Sequence, residues 1–458
     1  VYGAFLKHWD KRALKPIIFN RIDSSPGIAK NIEVLNSRIE DIISDIDCDI
    51  LYLDPPYTQN QYGTQYHLLE TLILNDNPIL SKITGSRPTT SMRSQWSKNY
   101  YAHVLFDKII AGTKAKYVIL SYNNDGFMSK DFIETTMKRY GIENSYICEI
   151  IDYKKYNNFK CQGADGHFEY LFFIEKKPRE RVVIESPLNY TGSKSKMVGF
   201  IKSQLPKDDI DTFVDAFGGG FNVGVNINAK KIIYNDINPF VEGLIRSFYS
   251  NPCSYLQYIE KQIKKYNLSP DNKEGFLKLR DKYNSIPVAK RDPRMLYTLI
   301  LYGFQQQIRF NSNWGFNNPA GSRWFNENLL SKFIAFTRSL QTKNVLFMNS
   351  NFDVLDIQFT PHTFIYADPP YRSTLGVYND GKRGFEGWTL EHERQLCKFL
   401  DAANEHDAKF MLSYVVKVGE FTNTEIIEWT NKNKYHMVDV IAAQGRYNNR
   451  HEVLIKNY

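Results

Sequence analysis

Short apolar runs broken by acids, prolines or glycines recur along the chain and predict buried strands. They lie at Ile50–Leu53, Lys116–Leu120, Glu169–Glu175, the start of Asp211–Gly224, Lys231–Asn238 with Asp236 at the strand's end, Phe364–Ala367, Lys409–Tyr414 and Glu452–Lys456. Between them, helical patterning covers Ile32–Ile43, His67–Leu74, Asp131–Tyr140 and Leu390–Ala403. Residues 240–344 interrupt this alternation with a helical stretch at Val241–Tyr249, Tyr255–Tyr266 and Met295–Gln305. Strands alternating with helices predict an α/β fold with parallel sheets.

Two of the strands end in the same way. Phe364–Tyr371 reads FIYADPPY and Ile50–Tyr57 reads ILYLDPPY. A proline deletes a ladder donor, so each strand stops at the first proline and leaves Asp54 or Asp368 at its tip. Strand tips are where open α/β sheets bind ligands. The second proline holds the first extended and fixes its carbonyl beside the carboxylate. Two acceptors and a tyrosine suit an exocyclic amine on a flat ring, such as adenine N6. The surroundings repeat too. Asn36–Glu40 parallels Asn349–Asp353, Val118–Tyr122 parallels Phe410–Tyr414, and Glu169–Ile174 parallels Glu452–Ile455. Landmarks in one order predict duplication of a whole domain. The boundary falls in the charged, proline-containing Lys176–Arg181, giving domains 1–178 and 179–458.

Composition narrows the partners. The 458 residues carry 58 Lys and Arg against 50 Asp and Glu, a formal net charge of +8, mild support for an anionic partner. The five cysteines form no C-x-x-C, so neither a disulfide framework nor a zinc site is expected. No apolar run is long enough to span a membrane, and a reducing cytoplasm fits.

Only the second half carries a glycine turn. Asp211–Gly224 reads DTFVDAFGGGFNVG: a strand, an acid and a turn whose amides can approach a ligand closely. Asp236 ends the next strand, about twenty residues on, where an acid suits a ribose diol. Within the insert, Gln305–Trp324 is rich in Arg, Asn, Gln and aromatics, the types that read base edges or wedge between them. Lys82, Arg87, Arg93 and Lys98 suggest a phosphate-contacting loop in the first half. The glycine-rich Arg372–Trp388 is expected to be mobile.

These motifs resemble the Dam-like adenine-specific DNA methyltransferases that use S-adenosylmethionine. Tyr190-Thr191-Gly192-Ser193-Lys194 is similar to the family's N-terminal cofactor motif. Asp215-Ala216-Phe217-Gly218-Gly219-Gly220 is similar to the acid and F-x-G-x-G turn, except that Phe221 stands where the last glycine belongs. Asn235-Asp236 corresponds to the ribose motif and Asp368-Pro369-Pro370-Tyr371 to the catalytic motif. The resemblance implies cofactor contacts from Tyr190, Lys194, Asp215, Phe217, Gly218, Gly219, Gly220, Asp236, Asp353 and Asp368. It implies catalysis by Asp368, Pro369, Pro370 and Tyr371, with Tyr371 stacking on a flipped base. DNA contacts fall to Arg309, Asn311, Asn317 and Arg323, and no metal is required. The tandem order resembles FokI-type bifunctional methyltransferases of type IIS restriction systems. The expected architecture is thus two Rossmann-like methyltransferase domains acting on double-stranded DNA, the second with a helical recognition insert. A cognate restriction endonuclease is the expected system partner. The first domain has Asp54, Pro55, Pro56 and Tyr57 but no glycine turn, so it is expected to lack its cofactor-binding part, which should lie before Val1. Alternatives are N4-cytosine methylation or, for the first half, a catalytically incomplete DNA-binding module.

Overall fold

The computed structural model of the chain describes residues 14–16, 31–83, 85, 87–152, 168–372, 387–440 and 450–458. The chain separates into two units, Val1–Lys177 and Pro178–Tyr458. In the first, β1 (Ile50–Leu53), β2 (Tyr117–Asn123), β3 (Ile147–Asp152) and β4 (Phe168–Glu175) form a sheet in the order β1-β2-β4-β3. β1 and β2 are parallel, whereas β4 runs antiparallel to both β2 and β3.

The second unit contains β5 (Thr212–Asp215), β6 (Lys231–Asn235), β7 (Val345–Met348), β8 (Thr363–Ala367), β9 (Lys409–Val418), β10 (Phe421–Thr422), β11 (His436–Asp439) and β12 (Arg450–Lys456). The sheet runs β11-β12-β9-β8-β5-β6-β7, with β10 on β9. β5 to β9 are mutually parallel along this path, and β12 and β11 return antiparallel. The β8-β9-β12-β11 portion reproduces the order and directions of β1-β2-β4-β3. Even the register repeats: Ser121 faces Leu171 and Ser413 faces Leu454.

All five residues of β8 are buried because β5 and β9 flank it and side chains cover both faces. Phe213 and Phe364 stack across the β5–β8 pair at 5.7 Å. β1, which pairs only with β2 among the described residues, buries Leu51 and Leu53 but exposes Ile50 and Tyr52.

The insert is helical at Pro239–Ser247, Pro252–Tyr266, Lys273–Ser285, Pro293–Tyr302 and Glu327–Gln341. Each start is capped by a side chain, from Asn238, Asn251, Asn272, Asp292 and Asn326 in turn. Three of the five have proline in the first turn, where its missing donor costs nothing. The expected helix at Ile32–Ile43 is a correction. Only Ile39–Ile42 is helical, and Ile32, Val34 and Leu35 are exposed, so no packed face supports the upstream turns. No helix among the described residues is long and apolar enough to cross a membrane.

Candidate active site

The parallel strands of the second unit bring three loops to one end of the sheet. β5 delivers Asp215 and the glycine turn, β6 delivers Asp236, and β8 delivers Asp368. Together they line a cavity of about 330 Å³, at the lower end of small-molecule sites. Tyr190, Lys194, Phe217, Gly218, Gly219 and Gly220 line it too, so the second unit's expected cofactor residues converge with one exception. Asp353 is exposed and off the lining, whereas Ser350, Asn351 and Phe352 are on it. Asp353 falls within a single 3-10 turn over Phe352–Val354, begun by the Asn351 side chain.

The glycine turn is tightly made. Gly219 has φ +46, and a Cβ there would lie 2.8 Å from the Tyr190 ring. A Cβ on Gly218 would lie 2.3 Å from the Tyr234 ring. The Gly219 amide donates to Asp236 Oδ2 at 2.9 Å, and the Asn238 amide donates to Oδ1 at 2.8 Å. Phe221 adopts the left-handed φ of +61 that its family position reserves for glycine. Its ring is fully buried, edge-on to Tyr234 at 5.0 Å, and this packing offsets the strained backbone.

Three buried or half-buried carboxylates in one cavity shape its electrostatics. Burial pushes Asp215 up to about 8, opposed by the Gly224 amide donating at 3.2 Å and reinforced by the charges of Asp368 and Asp236. Burial also raises Asp368, against the pull of Lys194 and Tyr371. Lys194 Nζ donates to Asp368 Oδ1 and to the Tyr371 hydroxyl, both at 2.7 Å. The Tyr371 hydroxyl donates to the same carboxylate oxygen at 2.8 Å. Glu452 Oε1 lies 3.4 Å from Lys194 on the other side. Burial disfavours the Lys194 ammonium, but the Asp368 and Glu452 carboxylates outweigh it and hold the lysine protonated.

Tyr371 itself lies off the cavity lining. Its ring is 5% exposed, belongs to the hydrophobic core and packs edge-on against Tyr414 at 5.3 Å. Of this motif, Asp368 and Pro370 are on the cavity wall. The residue the motifs did not single out is Glu452. Its signal is a glutamate at the start of the last strand in both halves, Glu169 and Glu452.

In the first unit, Asp54 is exposed, makes no ion pair among the described residues and lines a separate cavity of about 480 Å³ with Pro55 and Pro56. Tyr57 meets Tyr122 edge-on at 6.0 Å, as Tyr371 meets Tyr414. The expected phosphate loop is partly corrected. Arg87 is buried and clasps Asp76 with two hydrogen bonds, whereas Lys82, Arg93 and Lys98 are exposed. Of the candidate DNA readers, Arg309 and Arg323 are exposed and Asn317 is half-buried. Asn311 is spent on a turn, its Oδ1 accepting from the Asn313 and Gly315 amides at 3.0 and 2.8 Å. The stretch 373–386 lies outside the described residues.

The chain spans about three quarters of the length of several modification enzymes that it matches end to end. It is 36% identical to "Type II methyltransferase M.FokI" of Planomicrobium okeanokoites over 482 aligned positions, covering 100% of this chain and 74% of that protein. It is 35% identical to "Modification methylase StsI" of Streptococcus sanguinis, covering 100% and 73%. It is 34% identical to "Modification methylase LlaI" of Lactococcus lactis subsp. lactis, again covering 100% and 73%. Residues 1–128 and 190–444 match the D12 class N6 adenine-specific DNA methyltransferase family. The chain therefore belongs to the D12 class of N6 adenine-specific DNA methyltransferases.

Proposed function

We propose that the second unit transfers a methyl group from S-adenosylmethionine to N6 of an adenine flipped out of double-stranded DNA. The observation that carries this reading is the meeting of Asp368, the glycine turn and Asp236 in one cavity at the strand tips. Three acids suit a ligand with a sulfonium, an ammonium and a ribose diol. The Tyr366 hydroxyl is buried without a hydrogen-bond partner among the described residues while its residue lines the cavity, a polar group a bound ligand can satisfy. Tyr190, Lys194, Asp215, Phe217 and Gly218 to Gly220 would hold the cofactor, and Asp236 its ribose. When bound, S-adenosylmethionine supplies an electrophilic methyl group.

The chain's own residues prepare the amine. Its lone pair is delocalised into the ring, so the free base is a weak nucleophile. Asp368 and the Pro369 carbonyl accept hydrogen bonds from its two N–H groups and favour a pyramidal nitrogen. A carboxylate has about four acceptor positions, so Lys194 and Tyr371 on Oδ1 leave capacity for the amine. Asp368 then stabilises the positive charge growing on N6 in a water-poor site. Glu452, itself paired with Arg450, shares Lys194 with Asp368, so the lysine's charge is not spent on Asp368 alone. Fixed alignment of nitrogen and methyl group supplies much of the remaining acceleration.

The first unit is a second, related half in tandem, with Asp54 to Tyr57 as its amine-binding loop and its own sheet beneath. The shared strand order and register support this. The polar stretch from Arg309 to Arg323 contributes to target reading; the names of the matched modification enzymes support a restriction-modification role, and a cognate endonuclease is the partner proposed for it.

The test is Asp368→Ala in the full chain. Methylation of plasmid DNA, read by modified-base sequencing, falls at least about a thousandfold, whereas S-adenosylhomocysteine binding by calorimetry stays within about threefold. Substantial residual methylation removes Asp368 from the chemistry.

A further inference from the structure

Local sequence gives Trp314 no reason to point where it does. It sits at the tip of a hairpin in the insert, closed by an antiparallel bridge between Phe310 and Phe316. The Asn311 amide donates to the Gly315 carbonyl at 2.9 Å, and the Trp314 amide donates to the Asn311 carbonyl at 3.0 Å. Solvent takes Arg309, Ser312 and Asn313, all exposed. Trp314 instead lines the cavity that holds Asp215, Asp236 and Asp368.

It reaches there at a cost. Its φ is +57, an outlier for a bulky residue that is held only where surrounding contacts dictate it. Those contacts are visible. Arg291 donates to the Trp314 carbonyl. The indole packs on Phe240 at 5.2 Å and meets Phe310 edge-on at 6.2 Å. Phe240 follows Asp236-Ile237-Asn238-Pro239, so this packing ties the hairpin to the acid proposed for the ribose. Ile237 is 62% exposed yet lines the same cavity, as does Pro239. An indole, an isoleucine and a proline beside the ribose acid make a flat apolar slot, the chemistry that holds a purine ring.

We infer that Trp314 is a cofactor-binding residue that closes the adenosine end of the cavity, so the recognition insert supplies part of the methyl-donor site. The inference rests on the reading of this cavity as the S-adenosylmethionine site. It also means that whatever holds the hairpin tip changes cofactor affinity, and by linkage the cofactor biases the hairpin.

Trp314→Gly separates a binding role from a packing role, because glycine tolerates positive φ and relieves the strain. In the full chain, S-adenosylhomocysteine binding by calorimetry is expected to weaken about tenfold, with the melting temperature of the ligand-free protein unchanged or higher. Unchanged affinity overturns the inference. If affinity and melting temperature both fall, Trp314→Phe decides. Recovery of affinity without recovery of melting temperature supports a binding role, and any other pattern overturns it. Asp236→Ala is run in parallel. If it too leaves binding intact, the cavity is not the cofactor site and the underlying reading fails. If it abolishes binding while Trp314→Gly does not, only the role of Trp314 fails.

Discussion

Asp215 shows how burying a single acid makes stability depend on pH. Burial raises its folded value to about 8, far above an unfolded carboxyl near 3.9. The folded state then holds the extra proton between those values, so this group's contribution to stability is present at low pH and is lost as pH rises towards 8. Asp215→Asn removes that titration and can still accept the Gly224 amide. Urea melts at pH 5 and pH 8 should show wild type losing more unfolding free energy than the variant, by on the order of 1 kcal/mol or more. Equal losses would mean that Asp215 is ionised throughout. Phe221 poses a second residue-scale balance. Phe221→Gly relieves a left-handed backbone worth about 1–3 kcal/mol but empties a fully buried ring site worth about 3–5 kcal/mol. Packing wins, and denaturant unfolding should record a net loss of about 1–3 kcal/mol. A stabilised variant would show that strain dominates the turn. The motif alone marked Phe221 as a departure, and only the packing against Tyr234 explains how the departure is tolerated.

At the scale of elements, the starts of the insert's helices were written in the chain. Asn238-Pro239, Asn251-Pro252 and Asp292-Pro293 are each a capping side chain followed by a first-turn proline. The helix Lys273–Ser285 was illegible by hydropathy because Lys, Glu, Arg and Asp dominate it, and only Phe276, Leu279, Tyr283 and Gly275 are buried. The upstream half of Ile32–Ile43 failed for the opposite reason: its apolar residues Ile32, Val34 and Leu35 are exposed rather than packed on the described residues. The hairpin from Phe310 to Phe316 divides labour among residues that look alike in sequence. Alanine at exposed Arg309 or Arg323 should relax sequence preference, seen as broadened methylation profiles on randomised duplexes. Asn311→Ala should instead lower cofactor and DNA affinity together, because its side chain holds the turn that carries Trp314. A uniform affinity loss in the arginine variants, with the salt slope reduced by about one, would make them phosphate contacts.

Across the whole molecule, two copies of one sheet plan carry one strand-tip motif in different surroundings. Asp368 is pinned by Lys194 and Tyr371, whereas Asp54 is exposed. Residues 1–53 contain no glycine-rich turn, and the one at Gly218–Gly220 lines the same cavity as Asp368 in the second unit. The 458-residue chain with Asp368→Ala should therefore show no adenine methylation on either strand, and Asp54→Ala alone should leave methylation unchanged. Strand-resolved sequencing of modified bases checks both, and methylation persisting in the first variant would reveal a donor site serving Asp54. The family and the strand-tip acids were legible because each rests on local patterns: a strand ends where proline removes a donor, and a turn is tight where glycine permits it. Long-range partners were decided only by folding. Lys194 and Asp368 are 174 residues apart, and Lys194 and Glu452 lie on opposite flanks of the unit's sequence. Likewise Trp314 reaches the cavity through a hairpin whose own sequence points only to a surface. A carboxylate's partner, a ring's burial and a proton's affinity depend on which strands become neighbours, and neighbourhood is a property of the folded sheet.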